Sequence, residues 1–308
     1  MSLGPYSAAW HLWKVGSAMY RIIPRSQREQ RFLNRLRADF RTLPPICDGS
    51  ESDARDEWAT NQRRLRHLVF TRDPRAFLTW DVIDRTMFVP FARYVPIEFA
   101  FLRQRSDWNR WRSAIRERWA GFPFPYPLYP STSANAIHHA YHLCRLEDHT
   151  GLRIHTFRTI CEFGGGYGSM CRIARSLGFS GQYLIFDLPE FSALQQYYLG
   201  AVCADVMTIS DPRQLVLASN AERCEGPRLF IATWSLSESP ASLGQQILHS
   251  ISGFDAFLIA YQDRFGEQDN KAFFGSLPSK LREISWVTRP IAHLPGNSYL
   301  FGWRNRSQ

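Results

Sequence analysis

Residues 158–189 read RTICEFGGGYGSMCRIARSLGFSGQYLIFDLP. An apolar run ends at Glu162 and passes into a turn carrying Gly164, Gly165, Gly166 and Gly168. A helical pattern follows over about Ser169–Leu177. A second apolar run, Tyr183–Phe186, stops at Asp187. The order is strand, glycine turn, helix, strand, acid. Glycine lacks a Cβ, so backbone there can turn sharply and come close to a ligand. An acid at the tip of the second strand can accept hydrogen bonds from two neighbouring hydroxyls, as on a ribose.

This unit is built to hold an adenosine-bearing cofactor. A dinucleotide fingerprint, G-x-G-x-x-G, fits only in part, because its third glycine falls on Ser169. The pattern present is E-x-G-x-G-x-G, formed by Glu162, Gly164, Gly166 and Gly168, with Asp187 beyond it. It resembles the first motif and the next acidic position of class I S-adenosyl-L-methionine (SAM) methyltransferases. The resemblance implies that the glycine turn lies under the methionine and ribose of SAM, and that S-adenosyl-L-homocysteine is the product. Gly165, Leu188 and Thr233 join the same expected cofactor site.

The chain beyond Asp187 fits that layout. Strands are expected at Asp205–Ile209, Leu229–Thr233, Ala256–Tyr261, Ile284–Ile291 and Ser298–Arg304. Helices are expected at Pro189–Leu199, Ala241–Ser252 and Asn270–Leu281, the last interrupted or delayed by Pro278. The total is an α/β fold with a seven-stranded, Rossmann-like sheet whose last strand is antiparallel. The strings FDLP, ATWSLSESP, AYQDRFGEQDN and HLPGNSYLFGW, within Tyr126–Trp303, are similar to bacterial sugar O-methyltransferases of polysaccharide and glycosylated-metabolite pathways. That similarity implies transfer of a methyl group to a sugar hydroxyl of a glycan or glycosylated intermediate. Two other readings stay open: O-methylation of a polyketide or other small metabolite, and a noncatalytic scaffold subunit with this fold. A nicotinamide oxidoreductase fits less well.

Ahead of this core, residues 1–120 read as a largely helical cap. Helices are expected at Gln27–Leu43 and Asp53–Phe70, from Asp73-Pro74 onward, over Trp80–Tyr94 with an interruption at Pro90, and within Arg103–Ala120. A proline-rich connector, 121–132, excludes regular helix. A helix over Ser133–Thr150 then opens the catalytic unit, 133–308. The formal net charge of +9 is almost all arginine, since Lys14, Lys271 and Lys280 are the only lysines. No RNA-binding signature accompanies it, so nucleic acid is not the expected partner. Acidic or phosphorylated glycans and anionic membrane surfaces suit arginine better.

Six scattered cysteines, Cys47, Cys144, Cys161, Cys171, Cys203 and Cys224, form no C-x-x-C pair and no zinc spacing. Reduced thiols in a cytoplasmic enzyme are the expected state. No stretch is long and apolar enough to span a membrane. Trp10, Trp13, Met19 and Ile22 can make an interfacial helix, placing the protein at the inner membrane face. The favoured reading has them pack a tryptophan face on the catalytic unit or on a second subunit, since most amphipathic helices face a core.

A sugar hydroxyl is a weak nucleophile and calls for a general base. His293 falls in the turn between the last two strands. His138 and His139 lie on the helix before the core, and Glu238 follows Thr233 in the next loop. His142 shares a face with His138, but the stretch HHAYH lacks the acid of an H-E-x-x-H zinc helix, so no metal is expected.

Overall fold

The computed structural model describes residues 6–20, 22–46, 53–202, 204–211, 214 and 226–304. Its centre is a seven-stranded sheet made of β3 (Thr159–Phe163), β4 (Gln182–Phe186), β5 (Met207–Ile209), β6 (Arg228–Thr233), β7 (Ala256–Gln262), β10 (Ile284–Pro290) and β11 (Asn297–Arg304). The strand order is β10-β11-β7-β6-β3-β4-β5. β11 runs antiparallel between β7 and β10, and the pairs among β3 to β7 are parallel. This is the expected class I methyltransferase layout. Two short hairpins flank the sheet: β1 (Pro125–Tyr126) with β2 (Tyr129–Ser133), and β8 (Arg264–Phe265) with β9 (Gln268–Asp269).

Period-2 alternation divides the sheet into two buried faces. Ile160, Ile185, Leu229, Ile231, Leu258 and Phe301 point to one side. Cys161, Leu184, Phe186, Phe230, Ala232 and Ile259 point to the other. Parallel strands covered on both faces need such continuous apolar runs, which is why TICEF and LFIAT carry so few polar residues. The second face is covered by α10 (Ala241–Ser250), α11 (Asn270–Gly275) and α12 (Leu277–Lys280). Pro278 sits in the first turn of α12, where its missing N–H costs nothing, so the expected single helix is two short ones.

The first face carries α7 (Ala134–Thr150), α8 (Ser169–Ser176), α9 (Pro189–Ala201) and the helical front of the chain. Ser133 caps α7 by accepting a hydrogen bond from the Ala136 N–H at 3.2 Å, and Gly151 ends the helix at φ +70°. The front comprises α1 (Tyr6–Met19), α2 (Gln27–Thr42), α3 (Asp53–Thr71), α4 (Asp81–Met87), α5 (Val95–Arg103) and α6 (Trp108–Ala114), with a 3-10 turn at Pro74–Thr79. The expected helix over Trp80–Tyr94 stops at Met87, and the expected run to Ala120 is helical only over α6. α5, an element the sequence reading did not separate, has Pro96 in its first turn and packs Val95, Phe99 and Leu102 inward.

The front shares one core with the sheet: Leu36, Phe40, Leu65, Leu68 and Phe77 belong to the same cluster as Ile160, Tyr183 and Tyr299. Buried carboxylates fasten the two. Glu190 of α9 accepts from Gln62 Nε2 at 2.6 Å and Arg66 Nε at 2.7 Å. Glu147 of α7 accepts both Arg110 Nη groups at 2.7 Å and the Ile154 N–H at 3.0 Å. Each carboxylate is buried and paired with guanidinium groups, the condition under which such burial is tolerated. Cys144, Cys161 and Cys171 are free and buried; Cys47, Cys203 and Cys224 lie outside the described residues.

Candidate functional site

The chain leaves β3 toward β4 and β5 on one side and returns through β6 and β7 on the other. The carboxyl ends of β3 and β6 therefore border the switch point, where ligands of open α/β sheets bind. A cavity of about 910 Å³ opens there. Glu162, Gly164, Gly165, Gly166, Asp187, Leu188 and Thr233 line it, as do His138, His139, His142 and Glu238. Gly168 and His293 are not among its lining residues.

The glycines have mainly local tasks. Gly164, Gly166 and Gly168 adopt φ values of +71°, +57° and +94°. A Cβ on Gly164 would fall 2.2 Å from Ser235 Cβ, and one on Gly168 would fall 2.9 Å from Leu199 Cδ1. These two glycines let the turn meet the loop after β6 and the end of α9. Gly166 is different. A Cβ there meets only Met87, at the ordinary distance of 3.4 Å, so its inner side faces the cavity.

Asp187 stands at the end of β4. It accepts from its neighbour's Leu188 N–H at 2.8 Å and from Gln195 Nε2 at 2.7 Å. The backbone N–H groups of Gly165 and Gly166 also hydrogen-bond this carboxylate, which ties it to the glycine turn. Glu162 accepts from Tyr183 O–H at 2.8 Å. Burial raises both carboxyls, Glu162 to about 7 and Asp187 to about 7, against the lowering effect of those hydrogen bonds. The Gly164–Gly166 cradle with two such acids beside it fits the ribose and amino-acid parts of SAM.

The opposite end of the cavity is assembled from distant segments. Glu98 of α5 is completely buried. Its Oε1 lies 2.9 Å from His138 Nδ1 and 3.0 Å from His293 Nε2. His138 Nε2 lies 3.1 Å from His142 Nε2, and His142 Nδ1 lies 2.5 Å from Tyr299 O–H. Burial favours the neutral acid at Glu98, but His138 and His293 outweigh it and hold the carboxyl below its ordinary value. Burial, then the neighbouring His138, pushes His142 well below the usual histidine range. One donor–acceptor arrangement accounts for these contacts. Tyr299 O–H donates to His142 Nδ1, His142 Nε2–H to His138 Nε2, and His138 Nδ1–H to Glu98.

His293 is thus no solvated turn residue. It lies in the expected turn, but its side chain is buried behind Glu98. His139 faces the cavity, and burial pushes its pKa down to about 3. Glu238 follows β6 with its carboxyl raised by burial and by Glu57, and has no side-chain hydrogen-bond partner among the described residues. Trp234, at φ +62°, stacks on His138 with ring centroids 5.5 Å apart and donates Nε1–H to Asn297 Oδ1 at 2.7 Å. A tryptophan in left-handed conformation is strained, and such strain concentrates at functional sites.

The front of the chain closes the cavity. Trp58, Gln62, Arg85, Met87, Phe88 and Tyr94 line that side. Asn135 of α7 holds the segment in place: its amide accepts from the Val89 N–H at 3.3 Å and donates to the Met87 carbonyl. The sequence reading did not single out Glu98, Asn135, Gln195 or Tyr299. Only Glu98 left a sequence signal, as the lone acid on the apolar helix VPIEFAFLR. Among the described residues, no group of three or more His, Cys, Asp or Glu side chains converges as a metal site.

The strand order and the glycine turn at its switch point define a class I methyltransferase architecture. No protein-family model matches the chain, and no curated protein matches it. Three of the similar solved structures carry methyltransferase or methylase names. A 16S rRNA methyltransferase, RmtF, in complex with S-adenosyl-L-homocysteine is 12% identical, covers 92% of this chain and 100% of its own, and has a TM-score of 0.39. Magnesium protoporphyrin IX methyltransferase from Synechocystis PCC 6803, with bound SAM, is 10% identical over 70% of this chain and 100% of its own, TM-score 0.38. The ribosomal protein L11 methylase of Lactobacillus delbrueckii subsp. bulgaricus is 11% identical over 55% of this chain and 80% of its own, TM-score 0.39.

Proposed function

We propose that the protein is a SAM-dependent O-methyltransferase whose acceptor is a sugar hydroxyl. The observation that carries this reading is one cavity with two chemically different ends: a glycine cradle with Glu162 and Asp187, and a histidine held by a buried carboxylate. When bound, SAM supplies an electrophilic methyl group. Glu162, Gly164, Gly165 and Gly166 hold its methionine side, and Asp187, with Leu188 and Thr233, holds the ribose side.

His138 is the proton acceptor in this scheme. Glu98 fixes the ring by taking the Nδ1 proton, which leaves the Nε2 lone pair for an acceptor hydroxyl. An entering hydroxyl competes with His142 for that lone pair. His293 acts through Glu98 as a positioning residue. His139 stays neutral and serves as a hydrogen-bonding wall. Glu238, at the cavity, orients the acceptor's other hydroxyls. The sugar reading is supported by the lining itself: Trp58 and Trp234 offer flat apolar faces, while Gln62, Arg85 and Glu238 offer polar ends. Positioning of two ligands in attack geometry supplies much of the remaining rate.

The test supplies methyl-labelled SAM with panels of nucleotide sugars, glycosides and polyketide-type phenols, and reads O-methyl products by mass spectrometry. Sugar products support the reading. Phenol products alone would move the acceptor to a small metabolite, and SAM binding without turnover on any panel would leave the scaffold reading.

A further inference from the structure

The outer face of α1 carries an apolar stripe that nothing in the described structure covers. Leu12, Val15 and Met19 recur at helical spacing, and Ile22 and Ile23 follow; all five are between 53% and 79% exposed. Phe91, which packs on Trp10 and Phe124 at the other side of the helix, is 43% exposed. No charged side chain interrupts Leu12, Val15 and Met19 on that face. A soluble protein rarely leaves so many large apolar groups together without use.

The helix is fixed in this orientation by its other face. Trp13 stacks on Phe88 at 5.7 Å and on Phe122 at 5.8 Å, and donates Nε1–H to the Pro123 carbonyl at 3.3 Å. Lys14 pairs with Asp84 at 3.3 Å. Beyond the helix, Arg75 donates to the Tyr20 and Ile23 carbonyls while paired with Asp73 at 2.8 Å. The tryptophans are therefore committed to the body of the protein, and the opposite face is what remains to dock.

We infer that this face seats the protein on an anionic lipid bilayer. Charge decides between a bilayer and a second copy of the chain. Residues 1–120 contain 22 Arg and Lys against 13 Asp and Glu, whereas residues 121–308 contain 15 of each, so the whole excess of +9 belongs to the part that bears the stripe. Arg28 and Arg31 open α2 directly after the stripe, and Arg93 lies two residues from Phe91; all three are exposed. A two-fold pairing of copies would set like charge against like. An anionic surface is attracted by the same charge, and an apolar stripe beside basic residues is how a helix lies in the headgroup layer. The stripe and the cavity are on opposite sides of one segment, since Phe88 stacks on Trp13 and also lines the cavity. The inference does not depend on the reaction proposed above.

The test is co-sedimentation of the full chain with vesicles of phosphatidylcholine alone and of phosphatidylcholine mixed with phosphatidylglycerol. Binding is expected on the mixed vesicles and is expected to weaken with salt. The combined variant Leu12→Asp, Val15→Asp, Met19→Asp is expected to lose binding about tenfold or more, with an unchanged thermal melt. Should that variant unfold, Leu12→Ser with Met19→Gln is the milder version, expected to lose binding in the same direction. The inference is overturned if the native chain ignores anionic vesicles, or if folded variants bind them as well as the native chain does. It is also overturned if light scattering shows a dimer that the substitutions dissociate while vesicle binding is absent.

Discussion

The two ends of the cavity bury carboxylates of opposite character. At the glycine turn, Glu162 and Asp187 are raised to about 7, because burial outweighs their hydrogen bonds. At the histidine end, the still more deeply buried Glu98 is lowered, because two imidazoles face it. Burial alone therefore does not set the protonation of this site. The partner does, and each end is poised for its own ligand: neutral-leaning acids that gain charge stabilisation when hydroxyls and an amino group arrive, against a carboxylate already engaged in holding a base.

The largest test of this contrast removes Glu98. Glu98→Ala leaves His138 and His293 without their shared acceptor in the core and is expected to cost about 3 kcal/mol of stability, read by chemical denaturation. Wild-type stability would show that the histidines need no carboxylate. His138→Ala is next. Turnover is expected to fall on the order of a hundredfold with donor affinity unchanged, and Glu98→Gln is expected to shift the pH profile of kcat. His293→Ala should fall between His138→Ala and wild type, because it acts at one remove. Equal turnover in all three variants would leave positioning alone.

At the other end the expected effects are smaller and separable. Asp187→Ala is expected to weaken SAM binding about tenfold or more, from loss of charge-assisted hydrogen bonds, while leaving the melt nearly intact. Gly164→Ala is expected to do the reverse, lowering the melting temperature through its clash with Ser235. Calorimetry and thermal melts on the pair would refute the division of labour if both variants lost only affinity.

The smallest effect is on pH. Glu162 and Asp187 hold protons in the folded chain that the unfolded chain releases near pH 4. Their contribution to stability is therefore present at low pH and lost as pH rises toward about 7. Glu98 works the other way: its contribution is present above the ordinary carboxyl range and lost as pH falls through it. Without SAM, the melting temperature is expected to decline from about pH 5 to about pH 8, and Glu162→Gln is expected to flatten that decline. An unchanged slope in the variant would remove Glu162 from the account.

The same contrast explains what could be read from the sequence. The glycine end is local: strand, turn, helix, strand and acid occupy 32 consecutive residues, so spacing alone lays it out. The histidine end joins residues separated by 40, 157 and 195 positions, and periodicity carries no trace of that. The sequence puts His293 in the turn where the structure has it, but nothing in HLPGN tells that the ring folds back onto α5. The run Trp80–Tyr94 reads as helix because its apolar spacing suits one. The chain instead leaves helix at Met87, where Asn135 hydrogen-bonds the backbone, and Pro90 forbids re-entry.

The shared core of the front helices and the sheet has a consequence during synthesis. Leu36, Phe40, Leu65 and Phe77 are made first, yet other members of the same core, Ile160, Leu229, Tyr299 and Phe301, come much later in the chain. At ordinary translation speeds, roughly ten to forty seconds separate residue 120 from residue 301. Throughout that interval the nascent front half exposes the apolar surface it will later bury. Expression yield should then respond to chaperone supply and to slow codons placed before β6, in a way that variants at the glycine turn would not reproduce.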